Sequence, residues 1–287
     1  MNEIRVENWG ELQDALFDDS WNSQIGRYRS PFAFRGLSDA KHDLRTSLIR
    51  LGGDFATLER HLLRNFQKYA HQDVVERDSF WHWLSTAQHH GLPTRLLDWT
   101  YSPLVAMHFA TEDVSRPDHN ASIWMVDYVK AHNFLPETLR STLTKEGSNV
   151  FTVDMLSSFD SREKSKGKKG ESVETADNTE RSVNVSSLEI FDSLAQPGFL
   201  LFFEPPSIDA RIVNQFALFS VISNPRTRVD EWFERHPDVY RKIIIPAGLR
   251  WEVRDKLDQA NITERVLFPG LDGLAAWLKR HYSETTS

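Results

Sequence analysis

The chain has 287 residues, 40% of them hydrophobic and 26% charged, with 34 Lys and Arg against 41 Asp and Glu and a formal net charge of −7. That balance is ordinary for a globular protein and lacks the broad basic field on which non-specific nucleic-acid binding rests, so nucleic acid is not favoured as a partner. There is no cysteine, which excludes disulfides and thiolate zinc sites.

No stretch approaches the roughly 18 uninterrupted apolar residues of a membrane-spanning helix. The opening MNEIRVENWGELQ has early acidic residues and no long apolar run, so no secretory leader is expected there and a soluble, cytoplasmic protein is. In chain order, Leu12, Ala15 and Leu16 recur at helical spacing behind Asn8, a suitable N-cap, and residues 1–26 read as a helical extension. Phe32 and Phe34 ahead of Gly36 indicate a short strand ending in a turn. From Thr46 to Gln72 the spacing predicts one helix, with Leu58, Leu62, Leu63, Phe66 and Tyr69 as its apolar stripe. Another helix is expected from Ser79 to His89. Gly91 and Pro93 break it, Thr94 to Trp99 reads as a strand, and Pro103 opens the helix SPLVAMHFAT. SIWMVDY is a strand. Residues 141–187 include SFDSREKSKGKKGESVETADNTERS, which has almost no apolar side chain, and are expected to form a flexible, disordered insertion.

Beyond it, GFLLFFEPP reads as a buried strand. DARIVNQFALFSVIS reads as a helix, with strand as the alternative for Phe219 to Ile222. RKIIIP is a strand, RWEVRDKLDQAN a helix, ERVLFPG a last strand and LDGLAAWLKRHY a last helix capped by Asp272. Strands and helices mix without strict alternation, which predicts an α+β fold: a single domain over 1–287 built on a mixed, mainly antiparallel sheet flanked by helices.

The polar residues of the stretch QHHGLPTRLLDWT need partners if it is a strand in a core. Strand alternation puts Thr94, Asp98 and Thr100 on one face and Arg95, Leu97 and Trp99 on the other. The first face is either a pocket wall or half of a buried salt bridge. His89 and His90 end a helix, as caps or as pocket groups. Arg211 and Gln215 lie one helical turn apart, facing either a ligand or loop backbone. Arg35 offers a rigid fork for phosphate or a staple to Asp98, and Gly36 lets backbone approach a ligand closely. The histidines show no HExxH spacing, so no metal site is expected.

Four stretches resemble the FRG domain family: Phe34-Arg35-Gly36, QHHGLPTRLLDWT with the helix that follows, ARIVNQFALF, and VLFPGLDGLA. More distantly, an aromatic–Arg–Gly strand followed by a polar strand and a late glutamate resembles the ADP-ribosyltransferase superfamily. That second resemblance implies an ADP-ribosyltransferase-like fold and NAD as substrate, with cleavage of the nicotinamide–ribose bond. Arg35, Glu264 and His89 would then be catalytic. Arg35, Gly36, Thr94, Asp98, Arg211 and Gln215 would bind NAD, and Trp99 or another aromatic would stack on one of its rings. It further implies a toxin or anti-phage defence effector with a neutralising or defence-system protein partner and a macromolecular acceptor. Two alternatives stand beside it. One is a non-catalytic defence module that binds a nucleotide or phage component. The other is a ribonuclease-like enzyme using His89 or His90 with Arg95.

Overall fold

The computed structural model describes residues 2–70, 79–113, 115, 116, 118–167 and 187–283. The elements follow in chain order. The first part holds β1 (Glu3–Arg5), α1 (Trp9–Phe17), β2 (Trp21–Asn22), β3 (Arg27–Tyr28), β4 (Phe32–Leu37), α2 (Ser47–Leu51), α3 (Phe55–Ala70) and α4 (Phe80–His89). Next come β5 (Leu96–Thr100), α5 (Pro103–Thr111), β6 (Ala121–Asp127), α6 (Tyr128–His132), α7 (Glu137–Glu146), β7 (Phe151–Thr152) and α8 (Val153–Gly167). A helix α9 covers 187–193. The last part holds β8 (Leu200–Glu204), α10 (Ala210–Asn214), β9 (Ala217–Ile222), α11 (Val229–Arg235), β10 (Tyr240–Ile245), α12 (Arg250–Gln259), α13 (Glu264–Leu267) and α14 (Leu271–His281).

Eight strands form one sheet in the order β1-β10-β6-β4-β5-β9-β8-β7, and β2 and β3 form a separate hairpin. Only the outer pairs, β1 with β10 and β7 with β8, run parallel. The sheet is therefore mixed and mainly antiparallel with helices on both faces, as the pattern predicts. Alternation sorts its side chains. Ile123 and Met125 of β6 join Phe32 and Phe34 in a core beneath α1, α5 and α12. On the other half of the same face, Leu201, Phe203, Phe219 and Val221 pack with α4 and α7 to α9. Leu97, Trp99, Trp124, Val126, Leu200 and Phe202 fill the opposite face against α11. No described helix is long and apolar enough to cross a membrane.

The structure departs from the sequence reading in several places. Residues 1–26 are more than a helical extension, because β1 completes the sheet edge, pairing Glu3 with Lys242 through Arg5 with Ile244. The helix expected from Thr46 to Gln72 is two helices, separated at Gly52 and Gly53, whose φ values of 74° and 61° no right-handed helix accepts. The flexible insertion expected from 141 does not begin there. Residues 141–167 complete α7 and form β7 and α8, burying Leu143, Phe151, Val153, Leu156 and Phe159. These few apolar residues line up on core-facing positions, which an average over a polar stretch conceals. The rest of that expectation, 168–186, lies outside the described residues. ARIVNQFALF is a short helix and then a strand, with the break at Phe216, held at φ 48°. ERVLFPG is one turn of helix and not a strand, and Gly270, not Asp272, stands at the N-cap of α14.

Candidate functional site

The site starts from a parting of strands. β4 and β5 share a single paired position, Phe34 with Thr100. Where the ladder would continue toward Gly36 and Asp98, the Arg35 guanidinium takes its place, its Nη1 donating to the Asp98 carbonyl at 2.5 Å. Beside it opens a cleft of about 410 Å³, within the range of small-ligand sites. Arg35, Gly36, His42, Gln88, His89, Asp98, Thr100, Phe109, Glu112, Arg211, Gln215 and Phe268 all line it.

Local sequence explains how these groups are aimed. Ser79 caps α4, accepting from the His82 amide at 3.3 Å, so the helix delivers Gln88 and His89 to the cleft at its far end. The Gln88 amide nitrogen donates to the Asp98 carboxylate at 2.9 Å, and its oxygen accepts from the Thr94 hydroxyl at 2.5 Å. Thr94 is thus buried behind the wall and does not line it, fixing Gln88, which in turn fixes Asp98. Asp98 lies 3.9 Å from Arg35 with over half of its side chain exposed, a loose ion pair. Burial lowers the Arg35 pKa, with Asp98 opposing and Arg50 adding to the effect. The cation is therefore under-compensated, and an anionic ligand would relieve it.

Gly36 lines the cleft and has a further role in packing. A Cβ there would stand 2.0 Å from the Ala106 carbonyl oxygen and 2.5 Å from the Ala110 amide nitrogen. The glycine admits α5 against β4, and that close crossing carries Phe109 and Glu112 to the cleft. Glu112 follows the last turn of α5. Solvent reaches it, but the surrounding wall displaces much of its hydration. Burial is the main cause that pushes its carboxyl up to about 7; Arg254 pulls the other way, and Glu264 and Asp113 push further.

On the far wall, His89 Nε2 lies 3.3 Å from Asp209. Asp209 caps α10 through the Arg211 amide at 2.6 Å. The Arg211 guanidinium sits 5.2 Å from the Phe268 ring centroid, and no carboxylate among the described residues forms an ion pair with it. Gln215 reaches the cleft, but its amide nitrogen donates to the Leu267 carbonyl at 3.0 Å, so it holds α13 to α10. Among the described residues no group of histidines and carboxylates is placed to hold a metal ion.

Not every expected site residue offers its side chain to the cleft. Glu264 is buried, and both its oxygens are engaged by cations: Arg254 at 3.1 Å, and Arg280 at 2.6 Å and 2.8 Å. Burial alone would raise its carboxyl, but the Arg280 hydrogen bonds and the Arg254 charge outweigh that and hold it at about 2. It ties α12, α13 and α14 together and does not line the cleft, so its catalytic assignment is withdrawn. Trp99 borders the cleft but turns its buried ring away from it, packing on Phe202 and Phe233 with its Nε1 donating to the Ser220 hydroxyl, so the ring is not offered for stacking. Arg95 belongs to the core. Its guanidinium forks onto Glu59 at 2.5 Å and reaches Asp192 at 2.6 Å, joining β5's approach to α3 and α9. The sequence reading missed Glu112, His42 and Gln88. A carboxylate straight after the apolar helix LVAMHFAT and the single polar residue of Ala87-Gln88-His89 outside the imidazoles were the available signals.

Residues 30–119 match the FRG domain family. The FRG segment supplies Arg35, Gly36, His42, Gln88, His89, Asp98, Thr100, Phe109 and Glu112, while Arg211, Gln215 and Phe268 reach the same cleft from beyond it. The stretches ARIVNQFALF and VLFPGLDGLA lie outside the matched span. No curated protein and no solved structure matches the chain.

Proposed function

We propose that the cleft binds a phosphorylated nucleotide and cleaves its glycosidic bond, with NAD as substrate. The observation that carries this reading is the meeting of Arg35 and Arg211 with Glu112 in one cleft. Two guanidiniums suit a pyrophosphate, each charge-assisted hydrogen bond contributing about 1.5–3 kcal/mol. Phe109 and Phe268, half-buried on the wall, offer ring faces to a base. Asp98, held by Gln88, is an acceptor for a ribose hydroxyl.

Glu112, in place of Glu264, is the carboxylate of this reading, and it acts as the base. The C1′–nitrogen bond breaks with its electron pair leaving on nicotinamide. The oxygen of water or of an acceptor hydroxyl bonds to C1′, and its proton passes to the Glu112 carboxylate. A base with a pKa near 7 is matched to that transfer at neutral pH. NAD consumption or ADP-ribose transfer is the activity of a toxin or anti-phage effector, for which a neutralising protein partner is the natural counterpart. An ADP-ribosyltransferase-like fold belongs to the same proposal.

The test is to incubate the protein with NAD and cell lysate and look by mass spectrometry for free nicotinamide and a modified acceptor. Glu112→Gln should bind NAD and not turn it over, and Arg35→Ala should weaken binding about 10- to 100-fold. NAD that stays intact and shows no calorimetric binding to the wild-type protein rejects the reading. Turnover-free binding, indifferent to Glu112→Gln, assigns the cleft to a non-catalytic module. A second reading has its own observation. His42 and His89 both line the cleft with the two arginines, the set that acid–base cleavage of a phosphodiester needs, so RNA belongs in the same assay.

A further inference from the structure

The last helix of the described chain presents an apolar face that nothing described covers. α14 buries only Gly273 and Arg280, with Trp277 half-buried beside them. Gly273 is drawn in because α13 backbone lies where its Cβ would be, with the Phe268 carbonyl oxygen at 1.9 Å. Arg280 is held by Glu264 and Asp258. On the opposite side, Leu271 is 82% exposed, Leu274 38%, Leu278 39% and Tyr282 79%. They recur at intervals of three and four residues with exposed Ala275 among them, a stripe about 100° wide that elsewhere would face a core.

The charges beside the stripe say what fits it. Asp272 in the first turn and Lys279 in the last lie two turns apart on the same flank. Neither has an ion pair among the described residues. We propose that α14 docks against α14 of a second copy of this chain, antiparallel, across a two-fold axis. In such a pair like flanks meet, so Asp272 of each copy comes beside Lys279 of its partner, and Leu274 and Leu278 interdigitate between the two ion pairs. A parallel pair would set this flank against the side that carries Trp277 and His281 and would align helix dipoles of the same sense. The antiparallel arrangement uses one surface twice and matches every charge on it.

Sedimentation equilibrium of the intact chain over a range of concentrations tests this. The wild-type protein should show a reversible dimer. Leu278→Glu, and separately Leu271→Glu, should sediment as monomers that still melt cooperatively, losing only the concentration-dependent part of the wild-type melting temperature, since both side chains are exposed. Asp272→Lys should weaken the dimer about tenfold by replacing two attractions with two repulsions, and Asp272→Lys with Lys279→Asp should restore it. A wild-type chain that remains monomeric at the highest attainable concentration overturns the proposal. So does a dimer indifferent to these substitutions, or a monomer whose stripe variants lose a different protein partner.

Discussion

Glu264→Gln separates a structural carboxylate from a catalytic one. In the folded chain Glu264 is held at about 2 against its ordinary value of 4.5 by Arg280 and Arg254, in spite of its burial. That depression corresponds to about 3 kcal/mol of stability, in line with the roughly 3–5 kcal/mol lost when one partner of a buried pair is removed. The amide keeps the shape and part of the hydrogen bonding but leaves Arg254 and Arg280 facing each other with less negative charge between them. The expected result is a loss of about 2–4 kcal/mol in urea denaturation at pH 7, with a melting temperature lower by several degrees. The sign with pH follows from the same shift. A depressed carboxyl contributes its full stabilisation above the unfolded value and loses it as pH falls from about 4.5 through about 2. The gap between wild type and variant should therefore be widest near neutrality and close in strong acid. At a temperature where both proteins are folded, the cleft should still bind and turn over its ligand, with the Glu112 limb of the pH profile moved to lower pH because one of the charges that raises that carboxyl is gone. A variant with wild-type stability at pH 7 but abolished turnover would refute the assignment and return Glu264 to the reaction.

Gly36→Ala should prevent the α5 crossing, because the new methyl meets backbone at 2.0 Å and 2.5 Å and no side-chain rotation relieves it; loss of soluble, cooperatively melting protein checks this. Arg95→Met should cost about 3–5 kcal/mol in chemical denaturation, since it strands the buried Glu59 carboxylate, and Arg95→Lys should recover only part of that because it lacks the fork. Glu112→Gln should act oppositely on stability. The raised carboxyl costs stability as pH climbs from about 4.5 through about 7, so above pH 7 the amide should be more stable by on the order of 1 kcal/mol, discounted for the solvent that reaches the group. Equal wild-type and variant denaturation curves at pH 8 would count against a raised Glu112.

The architecture was more legible than the site. The short apolar runs of SIWMVDY and RKIIIP, and the proline that opens α5, mark elements by local chemistry, and these formed where expected. ERVLFPG failed because Val, Leu and Phe favour strand only when a neighbouring strand is at hand; here the Glu264 carboxylate is taken up by Arg254 of α12 and Arg280 of α14, and the Val266 and Leu267 carbonyls accept from the Asn214 and Gln215 side chains. Phe216 ends a helix in left-handed backbone without the glycine that normally announces such a break. At the site, the polar face of β5 follows from strand periodicity, and six expected residues, Arg35, Gly36, His89, Asp98, Arg211 and Gln215, do meet in one cleft. Glu112 could not be found that way. Its place depends on how closely one helix crosses one strand, a distance that no spacing along the chain encodes.

The crossing at Gly36 has a consequence for reading the aromatic–Arg–Gly triplet. Its last two members answer to different demands: the glycine to the scaffold, the arginine to whatever enters the hollow. A chain could exchange the arginine and still assemble, mute but intact, whereas one that exchanged the glycine would have no hollow to be mute in. Presence of the triplet therefore certifies the framework, and only the guanidinium, weighed together with its opposite number on α10, speaks to ligand.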